Sequence, residues 1–245
     1  MKPELVIEFI KNRITENFAD KIVGIYLFGS LTYDDFNPER SDIDLQIITK
    51  DKIDKDEVAK VEQLFNEISN KFPEWKGRVE CSFTPLEYYS KSKPFGAGRP
   101  YFGESFYADA TYGNEWLINY YLLYKYGKTL YGSEFKEIVE EIDIKDVQEA
   151  ARNDLEEEWE PKMNDDEYLS DPHNQSYMVL NLCRILYTIL QADAGSKTQA
   201  ANWVKETYPQ WTELIQKADS WRYGDEINMA EEAIKFLRFV VFRSD

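Results

Sequence analysis

Leu27-Phe28-Gly29-Ser30, then Ser41-Asp42-Ile43-Asp44-Leu45, decides how this chain is read. The apolar run Ile22–Phe28 predicts a short buried strand that ends in a tight turn at Gly29-Ser30. Residues 42–48 alternate polar and apolar before a wholly apolar end, which predicts a second strand. Residues two apart on a strand face the same side, so Asp42 and Asp44 project into one space. Neighbouring carboxylates repel unless a cation lies between them, and hard oxygen donors select Mg²⁺. Residues 78–83 alternate again and predict a third strand carrying Glu80. With that strand beside the second and Glu80 on the same face, three carboxylates converge, enough for one or two metal ions and a free base. The Gly29-Ser30 turn supplies the complement: glycine admits a phosphate close to the backbone, and serine offers a hydroxyl and an N–H. A helix N-terminus after the turn would add a favourable dipole for an anion.

Outward from this segment, residues 3–18 and 56–71 carry apolar side chains at helical spacing. Residues 90–103, rich in Gly, Pro and Ser, read as a loop. Downstream the pattern predicts helices at about 114–126, 134–141, 145–160, 176–192, 197–207, 210–219 and 226–242. The expected fold is α+β: a mixed sheet with helices over residues 1–108, then an all-α domain over 109–245, with a site in the cleft between them.

Composition narrows the function classes. With 43% hydrophobic residues in 245, the chain is globular and long enough to bury a core. Its net charge of -17 repels phosphate backbones, so nucleic-acid binding is not expected, and a small cationic partner is. Cys81 and Cys183 lie in apolar runs far apart, which predicts buried thiols and neither a disulfide framework nor a zinc site. The single histidine, His173, reads as a loop residue and leaves no partner for a His-based metal site or a Ser-His-Asp triad. Residues 3–18 hold no signal-peptide core, and no apolar run has membrane-spanning length, so a cytoplasmic protein is expected.

Leu27–Ser30, Ser41–Leu45 and Val79-Glu80-Cys81 resemble the signature of the nucleotidyltransferase fold typified by DNA polymerase β. Within that fold the chain is similar to the aminoglycoside nucleotidyltransferases that adenylylate streptomycin and spectinomycin. The likeness continues through Val179–Tyr187, Ser196-Lys197 and Ala200–Trp203. The resemblance implies that Gly29 and Ser30 hold nucleotide phosphates, Asp42 and Asp44 ligate Mg²⁺, and Glu80 is the general base. Arg184 and Lys197 match basic positions that contact the nucleotide. ATP is then the co-substrate, a small cationic antibiotic the acceptor, and a monomer the expected state. Independently, Asn181, Arg184, Thr188 and Gln191 form a polar stripe on an apolar helix, where an arginine needs an anionic partner or a structural carboxylate.

Two positions depart from the family pattern. Ser105 stands in Phe102–Phe106 where the family has a tryptophan, and Asn174 stands where it has an acidic residue. Glu104 and Asp109 are further candidates to meet an ammonium group, and Phe106, Tyr112 and Trp116 to stack on a ring. Residues 156–158 and 165–167 read as a solvated acidic face. The same machinery on another acceptor (a lincosamide, a metabolite or a protein) and a non-catalytic nucleotide-binding module are the alternative readings.

Overall fold

The computed structural model describes residues 2–33, 35–89, 94, 97–222 and 224–244. Helix α1 (Pro3–Phe18) leads into strand β1 (Ile22–Phe28), followed by β2 (Ile43–Thr49), helix α2 (Lys55–Lys71) and β3 (Val79–Pro85). Asp54 caps α2, accepting from the N–H groups of Asp56 and Glu57, while the Glu57 side chain returns to the Asp54 N–H. This reciprocal pairing sets the helix start. Strands β4 (Gly98–Phe102) and β5 (Phe106–Thr111), helix α3 (Glu115–Tyr126) and strand β6 (Lys128–Gly132) complete a six-stranded sheet in the order β5-β4-β3-β2-β1-β6. Among the described residues, only β2 and β3 pair in parallel, with α2 as their crossover, and the other strand pairs are antiparallel.

Alternation assigns the two faces. Ile43, Leu45 and Ile47 of β2, with Val79, Cys81 and Phe83 of β3, join one core with Val6, Ile10 and Ile14 of α1 and Val61, Leu64 and Ile68 of α2. The residues between them, Asp44 and Gln46 on β2 and Glu80 and Ser82 on β3, face the other way. Arg13 ties the two helices of the covered face together, donating from Nε and Nη2 to the two oxygens of Glu67 at 2.8 and 2.9 Å.

The remaining elements are α4 (Phe135–Ile138), α5 (Ile144–Asp154), α6 (Asp166–Leu169), α7 (Pro172–Gln191), α8 (Lys197–Thr207), α9 (Thr212–Ser220) and α10 (Ala230–Ser244). The chain divides into two compact units: Met1–Phe36 with Ser41–Glu141, and Asn37–Arg40 with Ile142–Asp245. In the second unit α7 is the central helix, packed by α5, α8, α9 and α10 and burying Met178, Val179, Leu182, Cys183 and Leu186. The short segment Asn37–Arg40 is held by that unit through charged pairs. Arg40 donates to the Asp219 carbonyl and carboxylate, both at 2.6 Å, and Arg222 donates to Glu39 at 2.9 Å.

Several expectations are corrected. Strand β6, which the sequence pattern does not show, pairs with the open edge of β1. Residues 90–93 and 95–96 of the expected loop lie outside the described residues, and Gly98–Phe102 is strand, not loop. The helix expected over 145–160 is regular only to Asp154, then widens into a π turn at Leu155–Trp159. The helix expected over 134–141 shrinks to four residues, Phe135–Ile138. Helix α7 starts earlier than expected, because Asp171 caps it by accepting from the His173 N–H, so His173 lies in its first turn and not in a loop. Among the described residues, Gly29-Ser30 opens a short tight turn, Gly29–Thr32.

Cys81 and Cys183 are free and buried, and burial pushes both thiols up, away from the reactive thiolate. No helix among the described residues is long and apolar enough to cross a membrane.

Hydrogen bonds from Arg13, and to a lesser degree Gln63, hold the Glu67 carboxyl below its ordinary value of 4.5. A depressed folded-state value contributes stability that is full above the ordinary value and lost as pH falls through the folded one. Glu67→Gln should therefore be less stable than wild type near neutral pH, with the gap closing as acid protonates Glu67. Melting temperatures taken from about pH 7 down to about pH 3 read this directly; a gap that stays constant with pH would contradict it.

Candidate active site

Register builds the site in the first unit. Antiparallel pairing sets Phe28 opposite Asp44, so the turn leaving β1 begins beside that carboxylate. Gly29 takes φ +69°, and a Cβ there would fall on Asp44 Oδ2. Glycine is required on both counts: the left-handed backbone and the open volume next to the carboxylate. Ser30 follows in the Gly29–Thr32 turn, which the Thr32 hydroxyl closes by donating to the Gly29 carbonyl at 2.8 Å. The Ser30 carbonyl accepts from the Asp35 N–H at 3.1 Å.

The parallel pairing of β2 and β3 sets Asp44 directly opposite Glu80. Both are partly exposed at the strand ends, while Leu45 and Cys81 beside them are buried. Asp42 lies one residue ahead of β2, and its Oδ1 stands 3.7 Å from Arg78 Nε. Among the described residues no group of three or more His, Cys, Asp or Glu side chains forms a metal cage. The register thus sets Asp44 beside Glu80, and Asp42, one residue ahead of β2, forms an ion pair with Arg78. Arg78 sets a positive charge beside these acidic residues, which offsets their mutual repulsion. The donors are still all hard oxygens, and Gly29 keeps the volume beside Asp44 clear, which fits a small divalent cation.

In the second unit the expected basic residues meet around one stretch of α7. Arg184 Nη2 donates to Asn181 Oδ1 at 3.0 Å, and Asn181 Nδ2 donates to the Tyr177 carbonyl at 2.8 Å. Thr188 continues the stripe, donating to the Arg184 carbonyl at 2.8 Å. Lys197 is the first residue of α8, which Ser196 caps through the Gln199 N–H. Its ammonium lies 4.5 Å from the centre of the Tyr177 ring. Tyr177 is a further candidate that helical spacing marks, since it precedes Asn181 by one turn and extends the same stripe. Arg78, two residues before Glu80, is another, and its only signal in the sequence is a cation beside the acidic segment.

The acceptor-side candidates fare differently. Tyr112 and Trp116 are buried, packed edge to face at 4.8 Å, so they build the interior and are not exposed platforms. Phe106 packs against Phe65. Glu104, Ser105 and Asp109 are exposed, as are Glu156, Glu157 and Glu158. His173 stacks on Trp221 at 5.0 Å, and Asn174 donates from its side chain to the Tyr168 carbonyl at 3.2 Å.

Residues 8–79 match the family described as polymerase beta nucleotidyltransferase, a span that includes Gly29, Ser30, Asp42 and Asp44 and stops one residue short of Glu80. Residues 137–242 match the aminoglycoside adenylyltransferase C-terminal domain, which includes Arg184 and Lys197. A spectinomycin 9-adenylyltransferase of Campylobacter jejuni is 26% identical over 243 residues, covering 90% of this chain and 87% of the relative. A crystal structure of a spectinomycin adenyltransferase from Enterococcus faecialis, holding ATP and spectinomycin, superimposes with a TM-score of 0.76 at 18% identity, covering 98% of each chain. That superposition shows a shared fold. With a polymerase-β nucleotidyltransferase model matched in front and an aminoglycoside adenylyltransferase C-terminal model matched behind, the chain is similar along most of its length to the aminoglycoside adenylyltransferases.

Proposed function

We propose that this nucleotidyltransferase moves AMP from ATP onto a hydroxyl of an aminoglycoside or aminocyclitol, with spectinomycin as the favoured acceptor, and so confers resistance in the cytoplasm. The observation that carries the reading is the Asp44–Glu80 register beside Gly29. A binding-only module has no use for a carboxylate at Glu80; a transferase needs one to take a proton. The names of the two relatives, both spectinomycin adenylyltransferases, favour that acceptor. The chain's charge of -17 suits a cationic substrate.

In this reading Glu80 accepts the proton of the acceptor hydroxyl. The freed oxygen forms a bond to the α-phosphorus, and the bond from that phosphorus to the bridging oxygen of the β-phosphate breaks. Pyrophosphate leaves with the bond's electron pair. Gly29 and Ser30 bring backbone N–H groups and a hydroxyl to the phosphates, and Arg184 and Lys197 offset their negative charge. Asp42 and Asp44 would hold Mg²⁺, which when bound neutralises phosphate charge as it develops.

A second reading keeps the chemistry and changes the acceptor. Ser105 and Asn174, where the family carries a tryptophan and an acidic residue, favour it. Pyrophosphate release with Mg²⁺, ATP and a panel of spectinomycin, streptomycin and a lincosamide separates the two. Turnover is expected with spectinomycin; release with none of the panel, alongside intact ATP binding, would transfer the proposal to another acceptor.

Two variants probe the residues. Glu80→Gln should lower turnover by about 10²–10⁴-fold while ATP affinity stays within about twofold, measured by pyrophosphate release and by calorimetric titration with ATP. Gly29→Ala should weaken ATP binding and cost about 1–2 kcal/mol of stability from its left-handed backbone alone. The collision with Asp44 adds to that cost, so the total stability loss of Gly29→Ala should shrink in an Asp44→Ala background. Equal costs in the two backgrounds, by urea denaturation, would show that the collision contributes nothing.

A further inference from the structure

Arg78 reaches three consecutive residues at the entry to β2, Ser41 and Asp42 ahead of it and Ile43 at its start. It follows Gly77, whose φ of +73° makes the turn into β3. The Arg78 N–H donates to the Trp75 carbonyl at 3.0 Å, which closes that turn. The guanidinium then lies over the Trp75 ring, 5.0 Å from its centre. Trp75 is buried and stacked on Phe36 at 6.4 Å, so the platform under the arginine is fixed. From there Nη2 donates to the Ser41 carbonyl and Nε stands 3.7 Å from Asp42 Oδ1. On the other side of Asp42, the Ile43 N–H donates to the Arg78 carbonyl at 3.0 Å. Ser41 and Ile43 are thus hydrogen-bonded to Arg78, the residue just ahead of β3, and Asp42 between them forms an ion pair with it.

We propose that Arg78 is a positioning residue for Asp42, setting the carboxylate's place for the metal-bound nucleotide. The proposal rests on the assignment of Asp42 as a metal ligand made above. Asp42 lies ahead of the first ladder pair of β2, so strand pairing alone does not orient it. The planar, forked guanidinium can hold a carbonyl and a carboxylate at once, and stacking on Trp75 removes its own freedom. Partners that orient metal ligands act on affinity: their loss costs about 10–100-fold in metal binding or activity. Arg78 therefore works through Asp42 and need not touch the acceptor or the α-phosphorus.

The test is ATP binding as a function of added Mn²⁺, followed by calorimetry on wild type, R78Q, R78K and D42N, each well below its own metal-free melting temperature. R78Q should need at least about tenfold more Mn²⁺ for half-maximal ATP binding. R78K keeps the charge without the fork and should recover only part of that shift. An unchanged Mn²⁺ requirement in R78Q overturns the proposal. Full recovery in R78K overturns it too, since charge alone would then suffice. Should R78Q fail to fold, R78K carries the test: a wild-type requirement in R78K refutes the positioning role. D42N separates this inference from the reading beneath it. If D42N binds ATP with wild-type Mn²⁺ dependence, the metal-ligand assignment fails; if D42N loses that dependence and R78Q keeps it, only the role of Arg78 fails.

Discussion

The parallel pairing of β2 with β3 is the constraint on which the rest of the first unit depends. It sets Asp44 against Glu80, two carboxylates that repel each other. What holds them side by side is the opposite face of the same two strands. There Ile43, Leu45, Ile47, Val79, Cys81 and Phe83 are almost wholly buried under α1 and α2. Because side chains alternate strictly, slipping the register by one residue would carry the carboxylates into that core and the apolar residues out of it. The hydrophobic face therefore locks the arrangement of the polar one.

Charge is then managed locally around the pair. Arg78 faces Asp42 from a stacked position on Trp75, and Gly29 withholds a side chain where Asp44 needs room. The same economy recurs in the second unit. On α7, a helix buried on most sides, Asn181 links Tyr177 to Arg184, so the arginine keeps a hydrogen-bond partner along its own helix. Lys197 is placed by the cap that starts α8 and by the face of Tyr177. Both basic residues are thus held at defined points of a rigid helical frame.

The parts of the fold that were legible have strong short-range patterns. Strands β1 to β3 and helices α1 and α2 carry clear alternation or helical spacing because one face of each is deeply buried. Strands β4, β5 and β6 were missed for the converse reason. Gly98-Arg99-Pro100-Tyr101-Phe102 has the composition of a loop, and most of β5 is exposed, so neither shows an apolar period. Lys128–Gly132 is five residues directly after a helix, and it becomes a strand only because β1 offers it an edge. Tyr112 and Trp116 are stacking candidates in the sequence, whereas in the fold the two rings pack edge to face inside the first unit.

The sequence alone determined which residues share a face and where glycine is demanded. Two-residue alternation and the Gly29-Ser30 turn are local properties, written in neighbouring positions. The polar stripe on α7 is of the same kind, a matter of helical spacing. Only the tertiary structure decided which strands became neighbours and in what register, and hence that Asp44 meets Glu80 while Asp42 meets Arg78. It also decided that β6 closes the sheet beyond α3. Those pairings join segments far apart in the chain, and their choice depends on how well the opposite, buried faces pack together, a quantity that no single stretch of residues contains.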